Sequence, residues 1–255
     1  ARAKGYTGKG VTIALIDGEV DTTAPELAGA TIVDKSPCSV HSSLDSKSHG
    51  TAMASLLVSK TYGVAPDATL LTYQTGFNDD GDDAGAECAV RNGNGIEENK
   101  SLINRAISDG AQIISISTSD EDFDDSTKWA IAHANARGVI VVSAMGNDAK
   151  DETDTGLAKW SGVVGVGAID TNGMVASYSS WGQGTSIAAV GGPIVFRNYE
   201  TGSKVSSSGT SVSTPLIAGF LALAKQKWPN ATGNQLLQLL TKTALNNEGR
   251  WNKYT

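Results

Sequence analysis

Long hydrophobic runs are missing from this 255-residue sequence. No stretch approaches the roughly 18 consecutive apolar residues that a membrane-spanning helix requires, so we expect no membrane span. A signal peptide is missing as well, because the opening segment Ala1–Gly10 is short and polar. We therefore interpret residues 1–255 as a single domain in its mature or excised form, with no pro-segment in the chain.

Basic clusters and cysteines are also scarce. The 20 Lys and Arg residues are scattered and outnumbered by 27 Asp and Glu, for a formal net charge of −7. Without a basic stripe, this distribution argues against a nucleic-acid partner. The two cysteines, Cys38 and Cys88, stand in polar, loop-like segments. We interpret them as one disulfide, which predicts a secreted or extracytoplasmic protein; two free thiols are the alternative.

Proline is scarce too, with 6 residues against 29 glycines, a balance that suits many tight turns. Apolar runs of strand length alternate along the chain with helical patterns. Strand patterns cover 11–16, 69–73, 112–117, 139–144 and 163–169, and helical patterns cover 49–59, 102–108, 126–137, 210–226 and 232–243. This alternation predicts an α/β fold of three layers, a doubly wound and mostly parallel sheet with helices on both faces. Such sheets bind ligands at the carboxyl ends of their strands.

Four polar stretches fall at the ends of predicted strands or the starts of predicted helices. Asp17 follows the first strand, His49 lies in a Ser-His-Gly-Thr segment that is predicted to open a helix, Asn147 follows residues 139–144, and Ser211 begins the long helix. Each residue alone has an ordinary structural interpretation. Asp17 would be a turn or cap aspartate, Asn147 a turn residue and Ser211 an N-cap serine.

Ser211 is predicted to lie at a helix N-terminus. Gly209 allows the backbone to bend sharply before it, and Pro215 lacks an N–H, so we expect it in the first helical turn, where that donor has no partner anyway. Free N–H groups at a helix start favour negative charge. An oxyanion that forms beside Ser211 would therefore be stabilised by the backbone N–H of the same residue.

Together, these four residues supply the parts of a serine nucleophile's active site. A serine hydroxyl is a poor nucleophile until an imidazole takes its proton, and the imidazole needs a buried carboxylate to fix its tautomer. An asparagine side chain can add a second donor to the oxyanion. The combination predicts Ser211 as nucleophile, His49 as general base, Asp17 as the orienting carboxylate and Asn147 as oxyanion donor.

The sequence resembles the subtilisin family of serine peptidases, the subtilases, whose order of Asp, His and Ser it shares. Matching segments are 10–17, 49–51, 63–66, 144–147, 175–182 and 209–215, and the resemblance runs from about Gly10 to Thr243. It implies a serine endopeptidase that acts on a peptide or protein substrate through an acyl-enzyme, with no cofactor, and we expect a monomer.

The resemblance also implies the substrate-binding residues. An extended peptide would lie along Ser117, Thr118 and Ser119, adding a strand through main-chain hydrogen bonds. The other wall of the pocket for the residue before the cut would come from Ala144, Met145 and Gly146.

Three departures from the family pattern stand out. The family usually has Ser or Thr after the aspartate, where this chain has Gly18 and then Glu19, so the usual supporting hydroxyl is missing. Many members have a calcium-binding loop after the histidine helix, whereas Ser59–Gly63 passes directly to Val64-Ala65-Pro66, and we expect that metal site to be absent. The segment Ser117–Asp120 replaces a Ser-Leu-Gly-Gly-like wall, which predicts a more polar pocket.

Two further segments have competing interpretations. An acidic, polar stretch runs from Gly76 to Glu98; we favour a solvated loop, because its spacing fits no calcium-loop template, over a calcium site or a selector of basic substrate residues. Asn230-Ala231-Thr232 matches a glycosylation pattern, but we favour a turn and N-cap before the last helix.

Two other functions compete with hydrolysis. The same acyl-enzyme could pass to a peptide amine, which would make the protein a macrocyclase or transpeptidase. An inactive subtilase-like binding domain is the third hypothesis, although all four expected site residues are present. The Asp17-Gly18-Glu19-Val20-Asp21 sequence is similar to subtilases that process ribosomal peptide precursors, which suggests a specialised processing protease.

Overall fold

A seven-stranded sheet forms the centre of the molecule. The computed structural model describes residues 1–37, 43–75, 99–117 and 125–245. The strand order is β2-β3-β1-β4-β5-β6-β7, and every neighbouring pair is parallel. The strands are β1 Thr12–Asp17, β2 Thr31–Asp34, β3 Thr69–Gln74, β4 Ile113–Ile116, β5 Ile140–Ala144, β6 Val163–Ile169 and β7 Thr185–Val190. An antiparallel hairpin follows, formed by β8 Ile194–Arg197 and β9 Lys204–Ser207.

Helices cover both faces of this sheet. They are α1 Leu44–Val58, α2 Asn99–Ser108, α3 Asp125–Ala136, α4 Thr210–Lys227 and α5 Gly233–Thr243. Strand β1 shows the alternation: Ile13 and Leu15 pack in one apolar cluster with α1 and α4, while Ala14 and Ile16 pack in another with α2 and α3. Burying each such large aliphatic side chain contributes about 1.5–3 kcal/mol. The predicted three-layer α/β fold is confirmed.

The sheet brings distant parts of the chain to one edge. Asp17 is the last residue of β1, Ser117 directly follows the neighbouring β4, and Asn147 lies three residues beyond β5. Parallel strands end on the same edge, so these residues emerge together although about 130 positions separate the first from the last.

Within the described ranges, the sequence missed four strands, and it placed the start of α1 five residues and that of α2 three residues too late. The missed strands β2, β8 and β9 are four residues long with largely exposed or half-buried positions, and β7 contains no fully buried residue, so none carries a strong hydrophobic pattern. Helix α1 begins at Leu44 and not near His49, because Ser43 Oγ accepts a hydrogen bond from the Ser46 N–H at 3.1 Å and caps it.

The turn before the last helix matches its prediction. Thr232 caps α5, its side chain accepting from the Gln235 N–H while the Gln235 side chain accepts from the Thr232 N–H. Several other predictions concern residues outside the described ones: Cys38, Cys88, Thr118, Ser119, Asp120 and the whole acidic stretch 76–98. None of the helices in the described ranges combines the length and apolar character that crossing a membrane requires.

Candidate active site

Asp17 and His49 are in direct contact. Asp17 is fully buried at the end of β1, and its Oδ1 lies 2.6 Å from His49 Nδ1. A carboxylate only accepts hydrogen bonds, so Nδ1 carries the proton and Nε2 is the basic nitrogen. Oδ1 also accepts from the Gly18 N–H at 2.7 Å. The pair is therefore built to hold one imidazole tautomer in one orientation.

The pKa of His49 reflects two opposing influences. Burial disfavours the charged imidazolium and lowers the pKa, whereas the Asp17 carboxylate, through its charge and its hydrogen bond, raises it, with a smaller contribution from Asp45. The raising influences prevail, so the pKa of His49 lies above its ordinary value. A base needs the neutral imidazole, so any reaction that uses His49 slows as the pH falls through this raised pKa.

Gly18 lies where the chain passes close to α1. A Cβ at this position would stand 2.3 Å from both the carbonyl oxygen and Oγ of Ser46, which is itself buried. Opposite, a Cβ on Gly50 would stand 2.4 Å from the Gly18 carbonyl oxygen. The two glycines let β1 and the histidine helix approach to backbone contact. This explains why the hydroxyl that the family usually places here is missing, and Asp17 Oδ2 is correspondingly buried without a hydrogen bond.

Gly18→Ser, which restores the family's usual residue type, should therefore destabilise the protein and not improve it. The new side chain would overlap buried backbone, and overpacking of this kind costs about 1–3 kcal/mol. Thermal unfolding measures the effect, with Gly233→Ser as the matched control, because a Cβ there would lie 3.3 Å from the Ile140 side chain and 3.9 Å from the Gly138 carbonyl oxygen, with no overlap of backbone. Equal unfolding temperatures for the two variants would contradict the close-approach explanation.

Glu19, the second carboxylate after β1, has a different partner. Its Oε1 lies 2.8 Å from Lys47 Nζ, and both side chains are partly exposed. The pair joins the loop after β1 to the start of α1, beside the contact between Asp17 and His49. Of the two carboxylates, Asp17 is the one in contact with the histidine.

Ser211 is the second residue of α4, and Gly209 occupies the N-cap position. The N-cap interpretation of Ser211 is thus wrong, and so is the expected place of Pro215, which lies inside the helix beyond its first turn. Because proline has no N–H, it cannot bond the Ser211 carbonyl four residues earlier. Ser117 Oγ donates to that carbonyl instead, at 3.2 Å, and so ties the end of β4 to the start of α4.

Asn147 is held by the residue before Ser211. Its Oδ1 accepts from the Thr210 N–H at 2.8 Å and from Thr210 Oγ1 at 3.1 Å. Since a backbone N–H can only donate, Oδ1 must occupy this end of the amide and Nδ2 the other. Thr210 Oγ1 also accepts from the Gly146 N–H at 3.1 Å. Sequence reasoning missed Thr210 as the link between these loops, although its place next to Ser211 was a signal.

The side-chain atoms of Ser211 and Asn147 face one small space. A Cβ added to Gly209 would lie 2.9 Å from Ser211 Oγ, 3.3 Å from Asn147 Nδ2 and 3.4 Å from Asn147 Oδ1, the last of which already accepts from Thr210. Because Gly209 has no Cβ, no side-chain atom fills the space between the Ser211 hydroxyl and the Asn147 amide N–H groups. The arrangement suits a carbonyl group whose carbon is attacked by the Ser211 hydroxyl while its oxygen accepts a hydrogen bond from the Asn147 amide.

The segment predicted to form one wall of the pocket, 144–146, directly continues β5. Ala144 ends β5, and both it and Met145 are buried. The Met145 N–H bonds the Val166 carbonyl at 3.1 Å, so the segment still follows the sheet there. Gly146 has a φ of 98°, a conformation that favours glycine. A Cβ there would lie 3.4 Å from Ser180 Oγ and 3.5 Å from Glu152 Oε1, so this side of the wall is polar.

The segment after α1, where many family members carry a calcium loop, is a tight turn. The Gly63 N–H bonds the Ser59 carbonyl at 2.9 Å. The Arg2 guanidinium donates to the carbonyls of Lys60 at 3.3 Å, Thr61 at 3.2 Å and Gly63 at 2.5 Å. A side-chain cation therefore contacts the carbonyl oxygens of this turn. In the described ranges, no group of three or more His, Cys, Asp or Glu side chains is placed to hold a metal ion.

A family model described as the subtilase family matches residues 8–254, which is nearly the whole chain. The chain belongs to the subtilase family. Among its curated relatives, the thermostable alkaline protease of Halalkalibacterium halodurans is 32% identical over 253 residues, which cover 96% of this chain and 64% of that protein. Subtilisin BL of Lederbergia lenta is 31% identical over 252 residues, covering 96% and 87%. The relatives named here are proteases, and this subtilase spans less than two thirds of the length of the first of them.

Solved structures of two proteases and a macrocyclase superpose on most of this one. A mutant of the protease domain of PatA matches with a TM-score of 0.77 and 26% identity, covering 94% of this chain and 89% of that one. The prenylagaramide maturation protease PagA gives 0.76 at 24% identity, covering 98% and 89%. The PatG macrocyclase in complex with peptide gives 0.77 at 19% identity, covering 96% and 85%. The last two identities are low, so PagA and PatG support the likeness of fold alone.

Proposed function

We propose that this subtilase is a serine endopeptidase that hydrolyses peptide bonds through an acyl-enzyme, with Asp17, His49 and Ser211 as its triad. The observation that carries the proposal is the space at Gly209, which Ser211 Oγ and Asn147 Nδ2 both face. The contact of 2.6 Å between Asp17 and His49 supports it, because it leaves Nε2 as the basic nitrogen.

In this mechanism, Ser211 Oγ attacks the scissile carbonyl carbon while His49 Nε2 takes its proton. The carbonyl oxygen becomes an oxyanion and accepts hydrogen bonds from the Ser211 N–H, at the start of α4, and from Asn147 Nδ2. Asp17 stabilises the imidazolium that forms. The C–N bond then breaks, His49 returns the proton to the leaving amine, and a water molecule activated by His49 releases the acid product.

An extended peptide is the substrate that this arrangement suits. We assign Ser117, with Thr118 and Ser119 after it, to one side of the peptide, and the backbone of Ala144, Met145 and Gly146 to the other. Main-chain hydrogen bonds of this kind give affinity without selecting a sequence. The polar groups beside Gly146 favour a pocket that does not depend on large apolar side chains. A monomeric state, a location outside the cytoplasm and independence from calcium remain predictions.

Covalent labelling tests the proposal directly. A fluorophosphonate probe should modify the protein once, and peptide mapping should place the adduct on Ser211, because only a hydroxyl with an adjacent base reacts readily. Labelling that is absent from the wild-type protein, or that maps to another serine, would reject Ser211 as the nucleophile.

The fate of the acyl-enzyme decides between hydrolysis, precursor processing and ring closure. A shared fold supports several chemistries, and the likeness to PagA and PatG is one of fold. Mass spectrometry of products from long peptides separates the outcomes, since a cyclic product is lighter by one water than the corresponding linear fragment. We expect linear fragments. Predominantly cyclic products would assign the protein to the transpeptidases.

Asn147 should contribute through its amide N–H groups. Asn147→Ala is expected to lower kcat by about 10²–10³ with little change in KM, the range that comes from the equivalent donor in subtilisin itself and not from this structure. Asn147→Asp keeps an oxygen that can accept from Thr210 but removes the donor, so its loss should be at least as large. An active Asn147→Asp enzyme would show that Asn147 only braces the loop. Asn172→Ala, in an exposed turn, is the control.

A further inference from the structure

The hairpin β8–β9 leads directly into the residue proposed as nucleophile. Strand β9 ends at Ser207, four residues before Ser211. At its base, the Gly209 N–H bonds the Gly191 carbonyl at 2.8 Å. Both strands are largely exposed or half-buried, although Ile194 and Phe196 pack against the core. Contacts that fix the turn at the far end of this hairpin, between β8 and β9, therefore influence the position of Ser211.

The far end is the turn 198–203, which is braced by its own side chains. Asn198 Oδ1 accepts from the Thr201 N–H at 2.8 Å and from Thr201 Oγ1 at 3.1 Å. The Asn198 N–H bonds the Ser203 carbonyl at 2.9 Å. A turn with this many internal bonds has one preferred shape, so the position of Tyr199 within it is well defined.

Tyr199 connects that turn to both sides of the contact between Asp17 and His49. Its N–H donates to Ser48 Oγ at 2.9 Å, and Ser48 is the buried neighbour of His49. Its phenol donates to Asp21 Oδ2 at 2.8 Å, and Asp21 lies four residues after Asp17. The Lys47 ammonium stands 5.4 Å from the centre of the ring.

The partners of Tyr199 are themselves anchored. Ser48 Oγ donates to the Leu44 carbonyl at 2.7 Å, and the Asp21 N–H donates to Thr51 Oγ1 at 3.0 Å. Ser48 and Thr51 flank His49 and Gly50 on α1. Burial and the Asp21 carboxylate raise the pKa of Tyr199 to about 12, so the phenol keeps the proton that it donates.

We propose that Tyr199 is a positioning residue that sets the placement of Ser211 relative to His49, by fastening the hairpin before Ser211 to the histidine helix and to the loop after Asp17. This role rests on the proposed function. Proton transfer between a hydroxyl and an imidazole requires contact at hydrogen-bond distance, and displacement by about 1 Å can cost 10²-fold in rate. Tyr199 itself contacts none of the reacting atoms.

The test compares Tyr199→Phe with Tyr73→Phe. The first removes the phenol's bond to Asp21 and its contact with the Thr51 hydroxyl, and keeps the ring and the bond from the Tyr199 N–H to Ser48. The second removes a bond of the same kind, from the Tyr73 phenol to Asp109 at 2.7 Å, which touches neither α1 nor the hairpin. The rate constant for fluorophosphonate labelling of Ser211, kcat and KM for a peptide, and the unfolding temperature are measured for both.

We expect Tyr199→Phe to lower the labelling rate constant and kcat by roughly three- to tenfold, with KM unchanged, while Tyr73→Phe lowers only the unfolding temperature. Asp21→Asn should cost less in the Tyr199→Phe background than in the wild type, because the two side chains form one contact. If Tyr199→Phe fails to fold, Asp21→Asn alone changes the same contact, and the same fall is expected.

A labelling rate and a kcat that do not change in Tyr199→Phe would overturn the positioning role, as would an equal fall in Tyr73→Phe or an effect confined to KM. Those results leave the proposed function standing, since the wild type is still labelled. A wild-type protein that is not labelled at all would overturn both.

Discussion

Replacing Ser211 with Ala should lower the turnover of a peptide substrate by about 10⁶, a magnitude that comes from subtilisin itself and not from this structure. The change removes the hydroxyl that faces the space at Gly209. It leaves the backbone contacts in place, because the Ser211 carbonyl still accepts from Ser117 Oγ. The folded state should persist, since alanine is well accepted near a helix start. Steady-state hydrolysis and thermal unfolding, measured on the same preparation, check both statements.

Ser207→Ala is the matched control for that experiment. Ser207 lies four residues earlier, at the end of β9, and its side chain is exposed. The same chemical change there should leave turnover at the wild-type level. Substantial activity in Ser211→Ala, with unfolding unchanged, would require another nucleophile and would remove the basis of the proposed mechanism.

Asp17→Asn should lower kcat by about 10⁴. The amide can present its NH₂ group to His49 and favour the wrong tautomer, so that Nε2 no longer accepts a proton. The acid limb of the pH profile of kcat/KM should also move. In the wild type we expect this limb at a pH above the ordinary pKa of histidine, because burial lowers the pKa of His49 but Asp17, with a smaller contribution from Asp45, raises it by more. Without the carboxylate charge, burial remains, and the limb should shift to lower pH.

Glu19→Gln tests whether the correct carboxylate has been assigned. Glu19 bonds Lys47 at 2.8 Å and is partly exposed, and such ion pairs contribute at most about 1 kcal/mol. We therefore expect turnover close to that of the wild type and an unchanged pH profile. A larger loss in Glu19→Gln than in Asp17→Asn would exchange the roles of the two residues.

Prediction from sequence worked best where the signal is local. The run from Val11 to Ile16 is apolar apart from the half-buried Thr12, because both faces of β1 are buried from Ile13 onward, and the strand pattern at 163–169 matches β6 in its bounds. Short strands without buried positions gave no such signal, which is why β2, β8 and β9 were missed. Pro215 was misplaced for a related reason. Proline is limited to the first turn of a helix partly because, further in, its missing N–H leaves the carbonyl four residues earlier without a hydrogen bond. Here that carbonyl belongs to Ser211, and Ser117 Oγ donates to it, so Pro215 is tolerated inside the helix.

By itself, the sequence determined the α/β class and the identity of Asp17, His49, Asn147 and Ser211 as candidates, because hydrophobic period, turn residues and chemical type are properties of short segments. Only the tertiary structure decided that Gly18 makes room for Ser46, that Glu19 pairs with Lys47, that Thr210 orients Asn147 and that Tyr199 reaches Asp21. These contacts join segments up to 178 positions apart. Their geometry depends on how strands and helices pack, and no local pattern specifies that packing.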